Sequence, residues 1–200
     1  MAITISIALL ILRLVVGLTM VVHGTQKLFG WFGGSGLARL RQVFEKQGFK
    51  PAWFWVSLVI LGEVGGGLSL ALGFLTPLGA AGVFGTMFMA TFKSHWKNGF
   101  ILSKGGYEYT LVLMAVSIAL GLAGPGVYSL DALFGIVLPE TLLFGVLAVA
   151  ALLVDVIGLF ISRPAAVAQN DVRSPASCRL AGHREDRKGN EDQGGYTRFC

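Results

Sequence analysis

Four ionisable side chains interrupt the apolar stretches of this 200-residue chain: Arg13, Glu63, Glu108 and Asp155. A charge at the centre of a bilayer costs about 2.5 kcal/mol or more, so it persists where it is paired or useful. At a rise of 1.5 Å per residue, Arg13 and Glu63 lie about 12 Å and about 16 Å from the same membrane surface. The sequence therefore predicts a buried Arg13–Glu63 ion pair, which either fixes the helix register or forms a polar site that binds a cofactor.

A second group of candidate residues lies where apolar stretches end or begin. His23 and Lys27 are four residues apart at the end of the first stretch, His95 follows the third, and Glu108 opens the fourth. Helical spacing puts His23 and Lys27 on one face, and all four are expected at a similar depth. Imidazoles and a carboxylate around a cation can move protons or hydrogen-bond a quinone, so these are the predicted catalytic residues. Two alternatives stay open: a belt of interfacial polar side chains, and haem ligation by the two histidines.

The elements that must position these residues are membrane-spanning helices. The apolar stretches are continuous rather than alternating, and most approach the ~20 helical residues that cross a ~30 Å hydrocarbon layer. Composition agrees, since 54% of the residues are hydrophobic and 14% are charged. A mean hydropathy of +0.70 excludes an ordinary soluble domain. The five predicted spans are 3–22, 53–75, 76–92, 107–123 and 141–161.

The distribution of Lys and Arg predicts the orientation of these spans. Basic residues cluster in the first and third connections and in the C-terminal tail, and the second and fourth connections have none. The positive-inside rule therefore places the N-terminus outside and the C-terminus in the cytoplasm. This topology accounts for the net charge of +5, so nucleic-acid binding is not implied. A secretory signal peptide over residues 1–22 is disfavoured, because Arg13 interrupts it and a basic n-region is lacking.

We expect an all-α polytopic membrane bundle over residues 1–162, with a four-helix core and a fifth transmembrane helix. Residues 35–49 place apolar side chains at helical spacing between charges, which predicts a short amphipathic helix on the cytoplasmic surface. Gly62 and Gly66, four residues apart, predict close packing in a tight hairpin of the second and third spans. Residues 163–200 are charged and lack apolar periodicity, which predicts a disordered cytoplasmic tail.

Several sequence blocks resemble the DoxX family of bacterial membrane proteins. They are RLVVGLTMVVHGTQKLFGWFGG in and after the first span, and HWKNGF, GGYEYTLVLM and GPGVYSLDAL further on, all within residues 5–133. The positions that match the family motif are Arg13, His23, Gly24, Lys27, Glu63, His95, Asn98, Gly99, Glu108 and Asp131. The fifth helix and the charged tail depart from the usual four-helix pattern of the family, and Asp155 has no role that the resemblance transfers.

The resemblance implies a membrane core related to the small subunits of thiosulfate:quinone oxidoreductase, and to proteins of membrane complexes that handle sulfur or oxidative stress. No dinucleotide or phosphate-loop fingerprint accompanies the motif, so a redox cofactor would be a lipid-soluble quinone or belong to a partner. Both cysteines lie in the tail, which excludes thiol relay chemistry within the bundle. A metal centre is not predicted.

The predicted function is the membrane subunit of a quinone-linked oxidoreductase or redox-stress complex in the bacterial inner membrane. The expected partners are the lipid bilayer and a soluble or membrane-bound redox protein, and a second copy of the chain is left open. The alternative is a non-catalytic membrane anchor or assembly factor for a soluble redox enzyme, so whether the protein is an enzyme also stays open. A carrier for a small solute is disfavoured, because the sequence has no inverted repeat.

Overall fold

The computed structural model describes residues 2–162, which form helices, turns and loops without a strand. The α-helices in this range are α1 Ala2–Phe29, α2 Gly36–Lys46, α3 Ala52–Ile60, α4 Gly66–Leu72, α5 Thr76–Ala90, α6 Glu108–Ala123, α7 Leu130–Leu133 and α8 Glu140–Ile161. One-turn π-helices at Leu61–Gly65 and Thr91–His95 join α3 to α4 and extend α5. Short 3-10 helices occupy Trp31–Gly33, Trp96–Asn98 and Leu102–Lys104. The all-α prediction is confirmed.

Helices occupy each of the five predicted spans. Ile3–Phe29, Ala52–Leu72 and Glu140–Ile161 are long and apolar enough to cross a membrane, and Glu108–Ala123 is a shorter apolar helix. The second predicted span therefore consists of α3, the first π-helix and α4. The third consists of α5, whose small residues are largely buried by its neighbours.

The core of the bundle lies around α5. This helix packs against α4, α6 and α8, while α1 packs along α4. Met20, Leu70, Val83 and Leu120 come from α1, α4, α5 and α6, and each is completely buried. Phe144 adds a contribution from α8 to the same cluster. One apolar core thus joins all five predicted spans.

Aliphatic and aromatic side chains cover much of the outside of the bundle. Val15, Leu61, Leu153 and Phe160 are each at least 60% exposed. Soluble monomers rarely present such large continuous apolar surfaces to water, whereas lipid tails are a favourable neighbour for them. The exposed surface agrees with a helical bundle whose solvent is the bilayer.

The predicted amphipathic helix is present as α2. Its Phe44 is buried against Phe49, with ring centroids 5.0 Å apart, and Phe49 packs on Trp55 at 5.2 Å. Leu37 and Val43 stay exposed. One edge of α2 therefore docks onto α3, and an apolar strip remains for contact with lipid. The predicted tail, residues 163–200, lies outside the described residues.

Candidate functional site

Arg13 is bound by backbone carbonyl groups at one end of the bundle. Its side chain is buried, with 1% exposure. Nε donates to the carbonyl of Leu70 at 3.1 Å, Nη2 donates to that of Tyr128 at 2.8 Å, and Nη1 donates to that of Pro125. Leu70 belongs to the last turn of α4, where carbonyls lack α-helical partners and carry the negative end of the helix dipole. The guanidinium therefore ties α1 to the end of α4 and to the connection before α8.

Asp131 completes this arrangement from the same connection. Its buried carboxylate accepts hydrogen bonds from the amides of Leu75 at 3.0 Å and Thr76 at 3.4 Å, at the start of α5. Its own amide donates to the carbonyl of Gly73 at 3.0 Å. Asp131 also acts electrostatically on Arg13. We call Arg13 and Asp131 the Arg13 clamp, since together they fasten the turn between α4 and α5.

Glycine at position 73 allows the clamp to close. Gly73 ends α4 with a φ of +64°, the left-handed conformation that favours glycine at a helix C-terminus. A Cβ atom at this position would lie 2.6 Å from Cζ of Arg13 and 2.6 Å from Cβ of Ser129. Any larger residue would push the guanidinium away from the carbonyls that bind it.

The predicted Arg13–Glu63 ion pair is wrong, because Glu63 pairs with Lys27. Counting residues along each helix places Arg13 and Glu63 at similar depths in the membrane. It carries no information about which residues of the two helices face each other. Gly17 supplies that register, since a Cβ there would lie 2.5 Å from the carbonyl oxygen of Gly67. Arg13 consequently lies near the end of α4, about two helical turns beyond Glu63.

Lys27 and Glu63 form an ion pair that is unequally exposed. The Lys27 side chain is 33% exposed, whereas that of Glu63 is 1% exposed. Lys27 Nζ donates to Glu63 Oε1. Among the described residues, Glu63 Oε2 is buried and has no hydrogen-bond partner. The pair thus presents one free carboxylate oxygen inside the bundle and one cation that reaches toward its surface.

His23 and Tyr109 stand next to this pair. The His23 ring nitrogen Nε2 and the Tyr109 hydroxyl share a hydrogen bond of 3.1 Å, and the ring centroids are 5.7 Å apart. Glu63 lies close enough to act electrostatically on the Tyr109 hydroxyl. We call His23, Lys27, Glu63 and Tyr109 the Lys27 site. Sequence alone does not single out Tyr109, because a tyrosine near the end of a span is typical of an interfacial belt.

Local features of three helices position the Lys27 site. Glu63 lies in the π-helix between α3 and α4, an insertion that redirects side chains and is frequent at functional sites. Gly24 lets α1 approach, since a Cβ there would lie 3.2 Å from Cβ of Glu63. The buried hydroxyls of Thr91 and Thr110 share a hydrogen bond of 2.7 Å, which fixes the start of α6 beside α5. Tyr109 is thereby held at a defined position next to Thr110.

His95 and Glu108, the other two predicted catalytic residues, organise the loop between α5 and α6. His95 Nδ1 hydrogen-bonds the carbonyl of Gly105 at 2.8 Å, and the Glu108 carboxylate accepts from the amide of Leu102 at 3.1 Å. Within residues 2–162, neither forms a hydrogen bond or ion pair with the Lys27 site. The structure therefore divides the predicted four-residue cluster, because His95 and Glu108 hydrogen-bond to backbone groups of this loop.

The Lys27 site combines groups that exchange protons. The imidazole of His23 is bonded to the phenol of Tyr109, and the carboxylate of Glu63 to the ammonium group of Lys27; such groups act as acids, bases and hydrogen-bond partners. The free oxygen of Glu63 can accept a hydrogen bond from a ligand. Of the two donor protons of His23 and Tyr109, one lies in their mutual hydrogen bond, and the other can be donated to a ligand carbonyl. Of the six predicted site residues, these geometric features favour His23, Lys27 and Glu63.

Comparisons with known proteins cover most of these residues. A model of the DoxX family matches residues 8–96, which include Arg13, His23, Lys27 and Glu63. The inner membrane protein YqjF of Escherichia coli (strain K12) is 33% identical over 104 residues, which cover 52% of this chain and 78% of the relative. No solved structure matches the chain. The family match and the YqjF alignment both point to one family, and the apolar helices agree with it. The chain belongs to the DoxX family of membrane proteins.

Proposed function

We propose that this protein is the membrane subunit of a quinone-linked oxidoreductase or redox-stress complex, and that the Lys27 site binds a quinone head group. The observation that carries the proposal is the Lys27–Glu63 ion pair, in which one buried carboxylate oxygen is free. The His23–Tyr109 hydrogen bond lies beside it. Ionisable groups inside a membrane bundle are costly, and by default they mark a site of chemistry or transport.

The side chains of the site fit such a head group. A bound quinone supplies reversible two-electron, two-proton chemistry. With His23 Nε2 donating to the Tyr109 oxygen, the Tyr109 hydroxyl would donate to a carbonyl oxygen, and Glu63 Oε2 would accept a hydrogen bond from a hydroxyl. Lys27 would balance the charge of Glu63 as protons enter or leave. Because Lys27 is one-third exposed, it also links the site to the surface of the bundle.

Electrons would have to come from a partner in this proposal. The bundle has no cysteine, and no dinucleotide fingerprint occurs in the sequence. We therefore propose that a soluble or membrane-bound redox protein delivers or removes electrons. We also propose a location in the bacterial inner membrane, like that of the Escherichia coli relative. The loop charges favour an outside N-terminus and a cytoplasmic first loop.

The proposal is tested by Tyr109→Phe with Tyr128→Phe as the matched control. The Tyr128 side chain is 47% exposed, and this residue contacts Arg13 through its carbonyl, so its hydroxyl is dispensable in the proposal. Loss of one ligand hydrogen bond is expected to lower the quinone that copurifies with the protein about tenfold. Quinone-dependent respiration of a complemented deletion strain should fall with it. Wild-type quinone content and respiration in Tyr109→Phe and Glu63→Gln, at normal abundance, would contradict the proposal.

A membrane anchor is the second candidate function, and the loop between α5 and α6 favours it. Trp96, Phe100 and Ile101 are each more than half exposed in this loop. Such a surface could dock a soluble redox enzyme. Ile101→Asp should disrupt docking without touching the Lys27 site. The anchor is favoured if Ile101→Asp fails to complement the deletion while it still binds a normal amount of quinone. It is also favoured if this variant fails and the wild-type protein binds no quinone.

A further inference from the structure

A second candidate site is a cavity that opens toward lipid. It has a volume of about 540 Å³ and lies between the α3–α4 span, α5 and α8. This volume falls within the ~300–1,000 Å³ that is typical of ligand pockets. Leu61 and Leu78, two of its lining residues, are more than half exposed on the outside of the bundle. None of the four residues of the Lys27 site lines the cavity, so the two sites are separate.

Glycines create the space. A Cβ at Gly62 would lie 2.9 Å from the carbonyl oxygen of Gly82, and one at Gly66 would lie 2.9 Å from that of Gly79. The two helices therefore meet backbone to backbone, and the glycine positions contribute no side chain to fill the space beside this crossing. Position 82 itself is more tolerant, because a Cβ there would meet Cα of Gly62 at 3.5 Å, an ordinary contact.

Asp155 provides the unsatisfied polar atom of this cavity. It lines the cavity from α8, and its Oδ2 is buried without a hydrogen-bond partner among the described residues. The hydroxyls of Ser69 and Thr86, which also line the cavity, already donate to backbone carbonyls. A carboxyl oxygen that is buried in an apolar environment is costly without a hydrogen-bond partner. A polar group of a ligand would supply that partner.

We propose that the cavity binds a lipophile that carries a hydroxyl group on a hydrocarbon chain, and that Asp155 hydrogen-bonds to this hydroxyl. The aliphatic and glycine walls contact the chain, as they would contact a lipid tail. Because lipid tails compete equally for such walls, the hydrogen bond supplies the selectivity. A hydroxyl group both donates and accepts, so it satisfies a carboxyl group in either protonation state. Water is a poor occupant, since these walls offer it few hydrogen-bond partners.

Two kinds of molecule share this chemistry. A quinol has phenolic hydroxyls and an isoprenoid chain, and a diacylglycerol has one free hydroxyl and acyl chains. The proposal does not depend on the function proposed for the Lys27 site, because the two sites share no residue. A test must therefore distinguish binding through the hydroxyl group from binding through the hydrocarbon chain. It must also distinguish a quinol from a diacylglycerol.

Photolabelling of the full chain in phosphatidylcholine nanodiscs makes these distinctions. The probe is hexadecanol with a diazirine on its chain, and labelled peptides are mapped by mass spectrometry. We expect labelling within segments 58–86 and 147–155. Gly82→Leu fills the cavity and should lower labelling at least about tenfold. Gly145→Leu, on the same bundle and with nothing within 4 Å of its Cβ position, is the matched control and should label like the wild type.

Asp155 is tested with the same probe and with the matching hydrocarbon, a diazirine-bearing hexadecane without the hydroxyl. Asp155→Leu should lower labelling by the alcohol about tenfold, through loss of one hydrogen bond, and leave labelling by the hydrocarbon unchanged. Asp155→Asn should retain most of the alcohol labelling. Competition by decylubiquinol would assign a quinol, and competition by dioleoylglycerol a glyceride. Competition by neither compound, equal labelling by the alcohol and the hydrocarbon, or equal labelling of Gly82→Leu and Gly145→Leu would overturn the proposal.

Discussion

Removal of Lys27 is expected to destabilise the protein much more than removal of Glu63. The reason is the unequal burial of the pair, with Glu63 1% and Lys27 33% exposed. Lys27→Met leaves a buried carboxylate without its cation, a change that costs about 3–5 kcal/mol. Glu63→Gln leaves an ammonium group whose flexible stem can carry it toward water, so about 1 kcal/mol is lost.

These free energies translate into separate melting temperatures. For a chain of this size, 1 kcal/mol shifts Tm by about 2–4 °C, so Lys27→Met should lower Tm by about 6–20 °C and Glu63→Gln by about 2–4 °C. The double variant has no buried charge left over. Its Tm should therefore lie above that of Lys27→Met, with a coupling energy of at least about 2 kcal/mol.

The assay heats the detergent-purified full chain and measures the remaining monodisperse protein by size-exclusion chromatography. Arg13→Met combined with Glu63→Gln is the control, because these two side chains do not contact each other in the structure. Their effects should add within about 0.5 kcal/mol. Equal losses from Lys27→Met and Glu63→Gln, together with an additive double variant, would refute the ion pair and its asymmetry.

Three further predictions concern the clamp, the loop and the topology. Arg13→Lys should lower the free energy of unfolding by about 1.5–3 kcal/mol, because a compact ammonium group cannot reach the three carbonyls that the planar guanidinium binds. An unchanged Tm would count against the clamp. His95→Ala should change the free energy of unfolding by less than about 1 kcal/mol, yet speed tryptic cleavage at Lys97 and Lys104, since it removes a bond to Gly105. Unaltered cleavage would show that this bond does not order the loop. Reporter fusions in the first loop, the third loop and the tail should all be cytoplasmic, and a periplasmic signal from the tail alone would remove α8 as a span. The fusion points are Gly36, Gly99 and Gly195.

The features that the sequence predicts correctly depend on local composition. The apolar stretches predict helices at all five positions, because length and hydropathy decide whether a helix is stable in lipid, and three of these helices are long and apolar enough to cross a membrane. The amphipathic spacing of residues 35–49 likewise predicts α2, which the structure places at Gly36–Lys46. These properties belong to single segments, so they need no knowledge of which helix faces which.

The partners of the buried charges could not be predicted in the same way. Register decides them, and register follows from backbone contacts such as that between Gly17 and Gly67. Arg13 is bound by carbonyl groups, which every residue possesses, so side-chain types give no sign of them. The sequence groups Lys27 with His95 and Glu108 at the edge of the membrane, although its stem is long enough to carry the ammonium group inward to Glu63.

This difference in partners changes which predicted residue is best suited to bind a cofactor. The guanidinium of Arg13 donates to three carbonyls, and its position is fixed by the turn that Asp131 closes. A ligand would have to displace these bonds, and the carbonyls of Pro125 and Tyr128 would then need new donors, whereas that of Leu70 keeps the Gly73 amide. Glu63 has one oxygen that no described residue satisfies, so a ligand gains a hydrogen bond there without breaking one. In the proposed function a head group would therefore bind at Glu63, while the hydrogen bonds of Arg13 hold α1 against the end of α4.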